Sequence, residues 1–232
     1  MARHTTVRQR PPAADEDTFV SGVLEATDWT RRHGRTIVIA LVAVVVAIAA
    51  VLYYRNYRAA LEARAASELE NVRQIAASGN TQLAARQLNQ FVTKYNGTHA
   101  GSEGRLLLGQ TMLEEGNPHG AIPVVQPLAN DLNDPLGPSA ALLLGAAYEA
   151  ANQIPQAEAT YLRVGDKALM DYQRRDALED VARLKLQHND AAGAAALYQR
   201  ILTMIPDTAT GRSVYEMRLA QAQAQAENAG KK

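Results

Sequence analysis

The chain has 232 residues, with 24 Lys and Arg against 24 Asp and Glu, and no cysteine. Zero net charge excludes a basic field for nucleic acid, and the lack of Cys excludes disulfides, thiolate nucleophiles and Cys-ligated metals. With 43 Ala and 5% aromatics, the composition reads as all-α, because Ala has the highest helix propensity and lets helices approach closely.

Residues 1–14 are basic, carry Pro11 and Pro12, and are expected to be disordered. Residues 17–30 place Phe19, Val23 and Ala26 on one helical face, with Val20, Leu24 and Thr27 adjoining. Phe19, Val23, Leu24 and Trp29 are therefore candidates for an interfacial or partner-binding helix with Trp29 at headgroup level. The alternative for this stretch is a weak, partly ordered segment.

Residues 36–54 are the strongest single feature. From Ile37 to Leu52 no side chain is polar. At about 1.5 Å per residue these positions approach the ~30 Å of a bilayer core. Arg31, Arg32 and Arg35 precede the run, and Arg55 and Arg58 follow it, with Tyr53 and Tyr54 at one edge. Ala47-Ile48-Ala49 has the form of a signal-peptidase site. The long acidic-containing region before it and the apolar run beyond it favour an uncleaved anchor instead. The Arg cluster nearest the span lies on its N side, so the expected topology is single-pass, with the N-terminus cytoplasmic and the C-terminal domain outside. Residues 55–64 continue without Gly or Pro, which predicts a helical stalk rather than a flexible linker.

Residues 65–228 repeat. Ala84, Ala121, Ala157 and Ala194 are spaced by 37, 36 and 37, and five residues before each stands Gly79, Gly116, Asn152 or Asn189. These turn residues accept a left-handed backbone between two helices. Leu108-Gly109 with Met112 and Leu144-Gly145 with Tyr148 repeat one figure 36 residues apart, placing a glycine where two helices touch. The pattern resembles the tetratricopeptide repeat, a helix-turn-helix unit with small residues at its packing positions. On that template the units fall at 65–98, 102–135, 138–171 and 175–208. The first is the weakest, with Val72 at the glycine position, and the early large aromatic of each unit is missing. Asn117-Pro118, Ser102, Pro138-Ser139 and the Ser213-Val214-Tyr215-Glu216 capping box are expected to start helices. The last box would open a C-terminal capping helix near 213–228 with a polar outer face. Residues 229–232 are expected to be a disordered end.

Chemistry is expected to be absent: no enzyme, cofactor or metal site. There is no phosphate loop, dinucleotide fingerprint or zincin motif. His4, His33, His99, His119 and His188 are scattered, the last two expected in turns. Ala100-Gly101-Ser102-Glu103-Gly104 imitates a nucleophile elbow but has no preceding strand. Residues 130–134, NDLND, lack the glycine and bidentate Glu of a calcium loop. Asn96-Gly97-Thr98 is a glycosylation sequon that matters only in a eukaryotic secretory pathway. A repeat solenoid without chemistry is a binding surface. The concave face expected from the template carries Leu106, Gln110, Leu113 and Glu114, then Leu142, Ala146 and Glu149, then Glu179, Arg183, Leu186 and Gln187.

The layout as a whole resembles a known family. A short tail leads into an anchor just after W-x-x-x-x-G (Trp29 to Gly34), and the anchor closes with Tyr54-Arg55-Asn56-Tyr57 before Ala-rich helical repeats. This looks like the YfgM-type tetratricopeptide proteins of the bacterial inner membrane. The resemblance implies a periplasmic domain that associates with the SecYEG translocon and a membrane-anchored periplasmic chaperone, so its partners would be other membrane proteins, exported clients and the lipid bilayer. The longer tail and the 17–30 segment depart from that family and leave a second role open. The chain could instead be a structural or assembly subunit docked on another multi-subunit inner-membrane complex, an energy-transducing one among the options.

Overall fold

Four left-handed residues set the architecture. Gly79, Gly116, Asn152 and Asn189 have φ of 83°, 71°, 58° and 62°. Each reverses the chain between two helices, a conformation that Gly takes freely and Asn tolerates. The next residue is the cap in three of the four turns. Asn80, Asn117 and Asp190 accept from the backbone N–H of Leu83, Gly120 and Gly193 at 3.1, 3.0 and 2.8 Å, each worth about 1 kcal/mol. In the third turn Gln153 makes no side-chain cap, and Pro155 at the start of that helix supplies a preset φ in its place.

The computed structural model describes residues 14–230, with side chains from His33 onward except Ile37. Among the described residues the regular elements are all helices: α1 (Ala14–Ala77), α2 (Thr81–Lys94), α3 (His99–Glu114), α4 (Pro118–Ala129), α5 (Gly137–Ala150), α6 (Ile154–Lys167), α7 (Asp171–Gln187), α8 (Ala191–Thr203) and α9 (Arg212–Ala229). The expectations for residues 1–13, for the side chains of Phe19, Val23, Leu24 and Trp29, and for Lys231 and Lys232 lie outside the described residues. The chain divides into two units, Met1–Ala59 and Ala60–Lys232.

In the first unit α1 is long and apolar enough to cross a membrane, with an 18-residue stretch of mean hydropathy 3.0 and none of it buried against protein. In the second unit consecutive helices from α2 to α9 pack as neighbours, and α3 touches α5 as α5 touches α7. The result is a two-layer all-α solenoid of helical hairpins. One layer is the C-terminal part of α1 with α3, α5, α7 and α9; the other is α2, α4, α6 and α8. Ala84, Ala121, Ala157 and Ala194 are each 0% exposed between the layers.

The core runs as three linked clusters. Phe91, Leu88, Leu69 and Val72 gather at the first hairpin. Val125, Leu144 and Val164 follow, then Leu178, Val181, Tyr198 and Ile201. Arginines tie one hairpin to the next. Arg163 donates to the Ala129 carbonyl at the end of α4 at 2.9 Å, and Arg200 donates to the Gly165 carbonyl in the last turn of α6 at 3.2 Å. Arg212 donates to the Leu202 and Ile205 carbonyls at 2.9 and 2.7 Å. Each places a cation where helix carbonyls lack partners and the dipole is negative.

Three expected caps are corrected. Thr98, in extended backbone, caps α3 by accepting from Gly101 N–H at 2.9 Å, and Ser102 sits inside the helix. Helix α5 starts at Gly137, with Leu136 at its cap position and no side-chain bond there. A Cβ on Gly137 would meet the Asp131 carbonyl oxygen at 1.8 Å, so this first helical position needs glycine, and Ser139 lies inside the helix. Helix α9 starts at Arg212 after Gly211 and has no side-chain cap. Ser213 therefore lies within it, and Glu216 pairs with Arg212 at 2.9 Å instead. His119 lies in α4 rather than in a turn.

Candidate interaction groove

The face formed by α5, α7 and α9 carries two depressions that share Asp180 and Arg183. One, of about 550 Å³, is lined by residues including Asp176, Glu179, Leu186, Tyr198 and Arg218. The other, of about 580 Å³, includes Leu142, Ala146, Glu149, Ala150 and Tyr161.

Helical spacing puts the polar groups here. Asp176 and Asp180, and Glu179 and Arg183, are i,i+4 pairs on α7, so they form two rows along one face. Arg183 bridges to α5, with its terminal nitrogens at 2.6 and 2.8 Å from the Glu149 carboxylate and one of them 3.2 Å from Asp180. The bidentate pairing holds the Glu149 carboxyl below its ordinary value and the Arg183 guanidinium above its own. Burial pushes the Asp180 carboxyl up, against the pull of Arg183. At the far wall Arg218 of α9 pairs with Glu179, which also accepts from the Tyr215 hydroxyl at 3.0 Å.

Two tyrosines come to this face from the opposite layer. The Tyr161 ring lies over Gly145, where a Cβ would meet ring carbons at 2.4 to 2.7 Å. The absent side chain at Gly145 thus lets the ring reach between α5 and α6. Tyr161 is 2% exposed and Tyr198 4%; burial raises the pKa of both phenols.

Of the residues expected to line a concave surface, the structure gathers Leu142, Ala146, Glu149, Glu179, Arg183, Leu186 and Gln187 around these depressions. It does not bring Leu106, Gln110, Leu113 or Glu114 into either lining. Leu106 is partly buried against the Val125–Leu144 cluster, and Gln110 donates to Glu114 along α3 at 3.1 Å. Sequence reasoning missed Asp176, Asp180, Tyr161, Tyr198 and Arg218. The spacing of 37 between Tyr161 and Tyr198 was the available signal, since a buried phenol needs somewhere to send its hydroxyl. Among the described residues no group of three or more His, Asp or Glu is placed to hold a metal ion.

The family pattern of the tetratricopeptide repeat-like domain matches residues 27–160. The chain belongs to that family. The same neighbour-to-neighbour packing of helices continues through α7, α8 and α9, beyond the matched residues. Two structures of the nearly identical TPR-like repeats of a putative kinesin light chain from Podosopora anserina, one of them a point variant, each superpose with a TM-score of 0.58 at 17% identity. They cover 73% of this chain and 90% of their own. The structure of MamA covers 68% of this chain and 96% of its own at 18% identity, with a TM-score of 0.48. At 17% identity the likeness to the kinesin light chain repeats is one of fold. No curated protein sequence matches the chain.

Proposed function

We propose that this tetratricopeptide repeat-like protein is a membrane-anchored scaffold that binds other proteins through the groove on α5, α7 and α9 and performs no catalysis itself. The observation that carries the reading is the pair of joined depressions, which together present small apolar residues beside charged ones on a rigid helical face. Repeat solenoids use such extended surfaces to hold partner segments. Anchoring is supported by the apolar stretch of α1, which has no protein around it, and by the Arg residues that flank it.

The finer reading is a single-pass inner-membrane protein with its N-terminus in the cytoplasm and its repeats in the periplasm. There it would assist a translocon by passing exported chains to a periplasmic chaperone. The resemblance of Trp29 to Gly34 and Tyr54 to Tyr57 to the YfgM-type layout supports this, and so does the Arg cluster on the N side of the span. Its domains would be the tail at 1–35, the span at 36–54, the stalk at 55–64 and the repeats at 65–228.

The test is co-purification from mild detergent. Ala146→Glu with Ala150→Glu fills the groove without emptying the core, since Ala146 is half-buried and Ala150 exposed. This variant should lose the partners of the wild-type protein, while Phe19→Ser, Val23→Ser and Trp29→Ser together should keep them. The reverse result would replace the scaffold reading with that of a structural subunit docked through its N-terminal region.

A further inference from the structure

The depression between α7 and α9 holds more negative charge than it neutralises. Three carboxylates, Asp176, Glu179 and Asp180, line it with two guanidinium groups, Arg183 and Arg218, and Arg183 is shared with Glu149 of the adjoining depression. Both cations are committed: Arg218 to Glu179, and Arg183 to Glu149 at 2.6 Å with Asp180 at a longer 3.2 Å. Asp176 has no hydrogen bond or ion pair among the described residues, and Asp180 keeps one long contact. Arg175 acts on Tyr215 but lines neither depression.

The second observation is independent of the carboxylates. Tyr198 comes from α8, is 4% exposed and lines the same depression. Its hydroxyl has no hydrogen-bond partner among the described residues. The hydroxyl is not sealed from water: it opens into the depression, where it can accept from a donor that enters. The wider unit agrees in sign, because residues 60–232 carry 19 Asp and Glu against 16 Lys and Arg, although the whole chain sums to zero.

We infer that this depression is a cation subsite that receives a Lys or Arg side chain of a partner polypeptide, with Asp176 and Asp180 as counter-charges and the Tyr198 hydroxyl as acceptor. The adjoining depression, floored by Leu142, Ala146 and Ala150, takes an apolar side chain next to that cation. The preferred ligand is therefore a segment that pairs a basic residue with an aliphatic one. This assignment rests on the groove being the protein-binding surface, and it names what that surface selects.

The experiment uses the full chain in mild detergent and three fluorescein-labelled nine-residue peptides. They share a Leu-flanked centre and differ only in its middle residue, which is Lys, Gln or Glu. Anisotropy should rank them Lys, then Gln, then Glu, with the Lys preference shrinking between about 0.05 and 0.5 M salt as the screening length falls. Each Asp→Asn change should weaken the Lys peptide by roughly two- to five-fold, as expected for partly exposed charge pairs. Asp176→Asn with Asp180→Asn should leave the Gln peptide unchanged, and Tyr198→Phe should cost the Lys peptide about two-fold. Thermal unfolding of each variant separates lost binding from lost structure. Equal binding of the Lys and Glu peptides, or a Lys preference that survives the double Asn variant, overturns the cation subsite and leaves the groove reading standing. If no peptide binds and Ala146→Glu with Ala150→Glu leaves the co-purified partners in place, the groove reading falls as well.

Discussion

Valine occurs in two settings in this chain. Val42, Val44 and Val46 are 54%, 57% and 61% exposed, whereas Val125, Val164 and Val181 are each 0% exposed. The side chain is the same, and what differs is its company in sequence. In α4, α6 and α7 apolar residues recur at helical spacing and polar ones separate them, so each helix presents a stripe that a neighbouring helix can cover. From Ile37 to Leu52 the helix is apolar all round. One neighbour cannot cover such a cylinder, and an apolar solvent can. Protein covers one set and none surrounds the other, and burial of apolar surface is favourable by about 25 cal/mol per Å² whichever apolar phase receives it.

The largest effect expected from breaking this contrast is in the exposed run. Val44→Arg with Ile48→Arg places two cations at the centre of the span, at roughly 2.5–3.5 kcal/mol each. The variant should appear in the carbonate-soluble fraction while the wild-type protein stays with the membrane. Retention of the variant would mean that the run is covered by something other than lipid.

A smaller effect is expected in the covered set. Gly145→Leu must displace the Tyr161 ring, whose carbons lie 2.4 to 2.7 Å from the position of a Cβ. Overpacking of this kind costs about 1–3 kcal/mol. At about 2–4 °C per kcal/mol for a domain of this size, the melting midpoint should fall by several degrees. An unchanged midpoint would show that α5 and α6 are not in contact there.

The smallest effect sharpens the comparison at a turn. Asp190→Ala removes the cap of α8 and should cost about 1 kcal/mol or less, since the carboxylate is 48% exposed. The Gly193 N–H, and then Lys185, hold the Asp190 carboxyl below its ordinary 3.8. Its contribution is therefore fully present above 3.8 and is lost as pH falls through the lowered value. The stability gap between wild type and variant should close in that acid window. A gap that persists unchanged below it would assign the loss to something other than the charged cap.

The turns were legible because their cause is local. Gly and Asn take a left-handed backbone most readily, so Gly79, Gly116, Asn152 and Asn189 announce themselves at a fixed distance from the buried Ala. Helix starts were less legible, because tertiary contacts decide among several eligible residues. Ser102, Ser139 and Ser213 are good caps in isolation. Thr98 takes the first start, the approach of Gly137 to Asp131 moves the second, and Arg212 is drawn to the end of α8 in the third. The groove was readable where its residues follow the period of α5 and α7. It was not readable where Tyr161 and Tyr198 cross from the other layer, since no one-helix pattern contains that crossing. Leu106, also expected on that face, is half-buried on α3 against the cluster that holds Val125 and Leu144 and lines neither depression.

The arginines at the hairpin borders give this array a direction. Arg163 of α6 and Arg200 of α8 each reach back one hairpin to a carbonyl at the close of α4 and α6, the outer helices before them, so the third and fourth units each finish the one before. Cutting the chain after Ala129 or after Lys167 would therefore strip a helix of its terminal partner although the cut falls in a turn. Fragments ending beyond Arg163 or beyond Arg200 would keep it. The boundaries at which this chain can be divided into self-sufficient pieces are thus displaced about one outer helix downstream of the boundaries its repeats suggest.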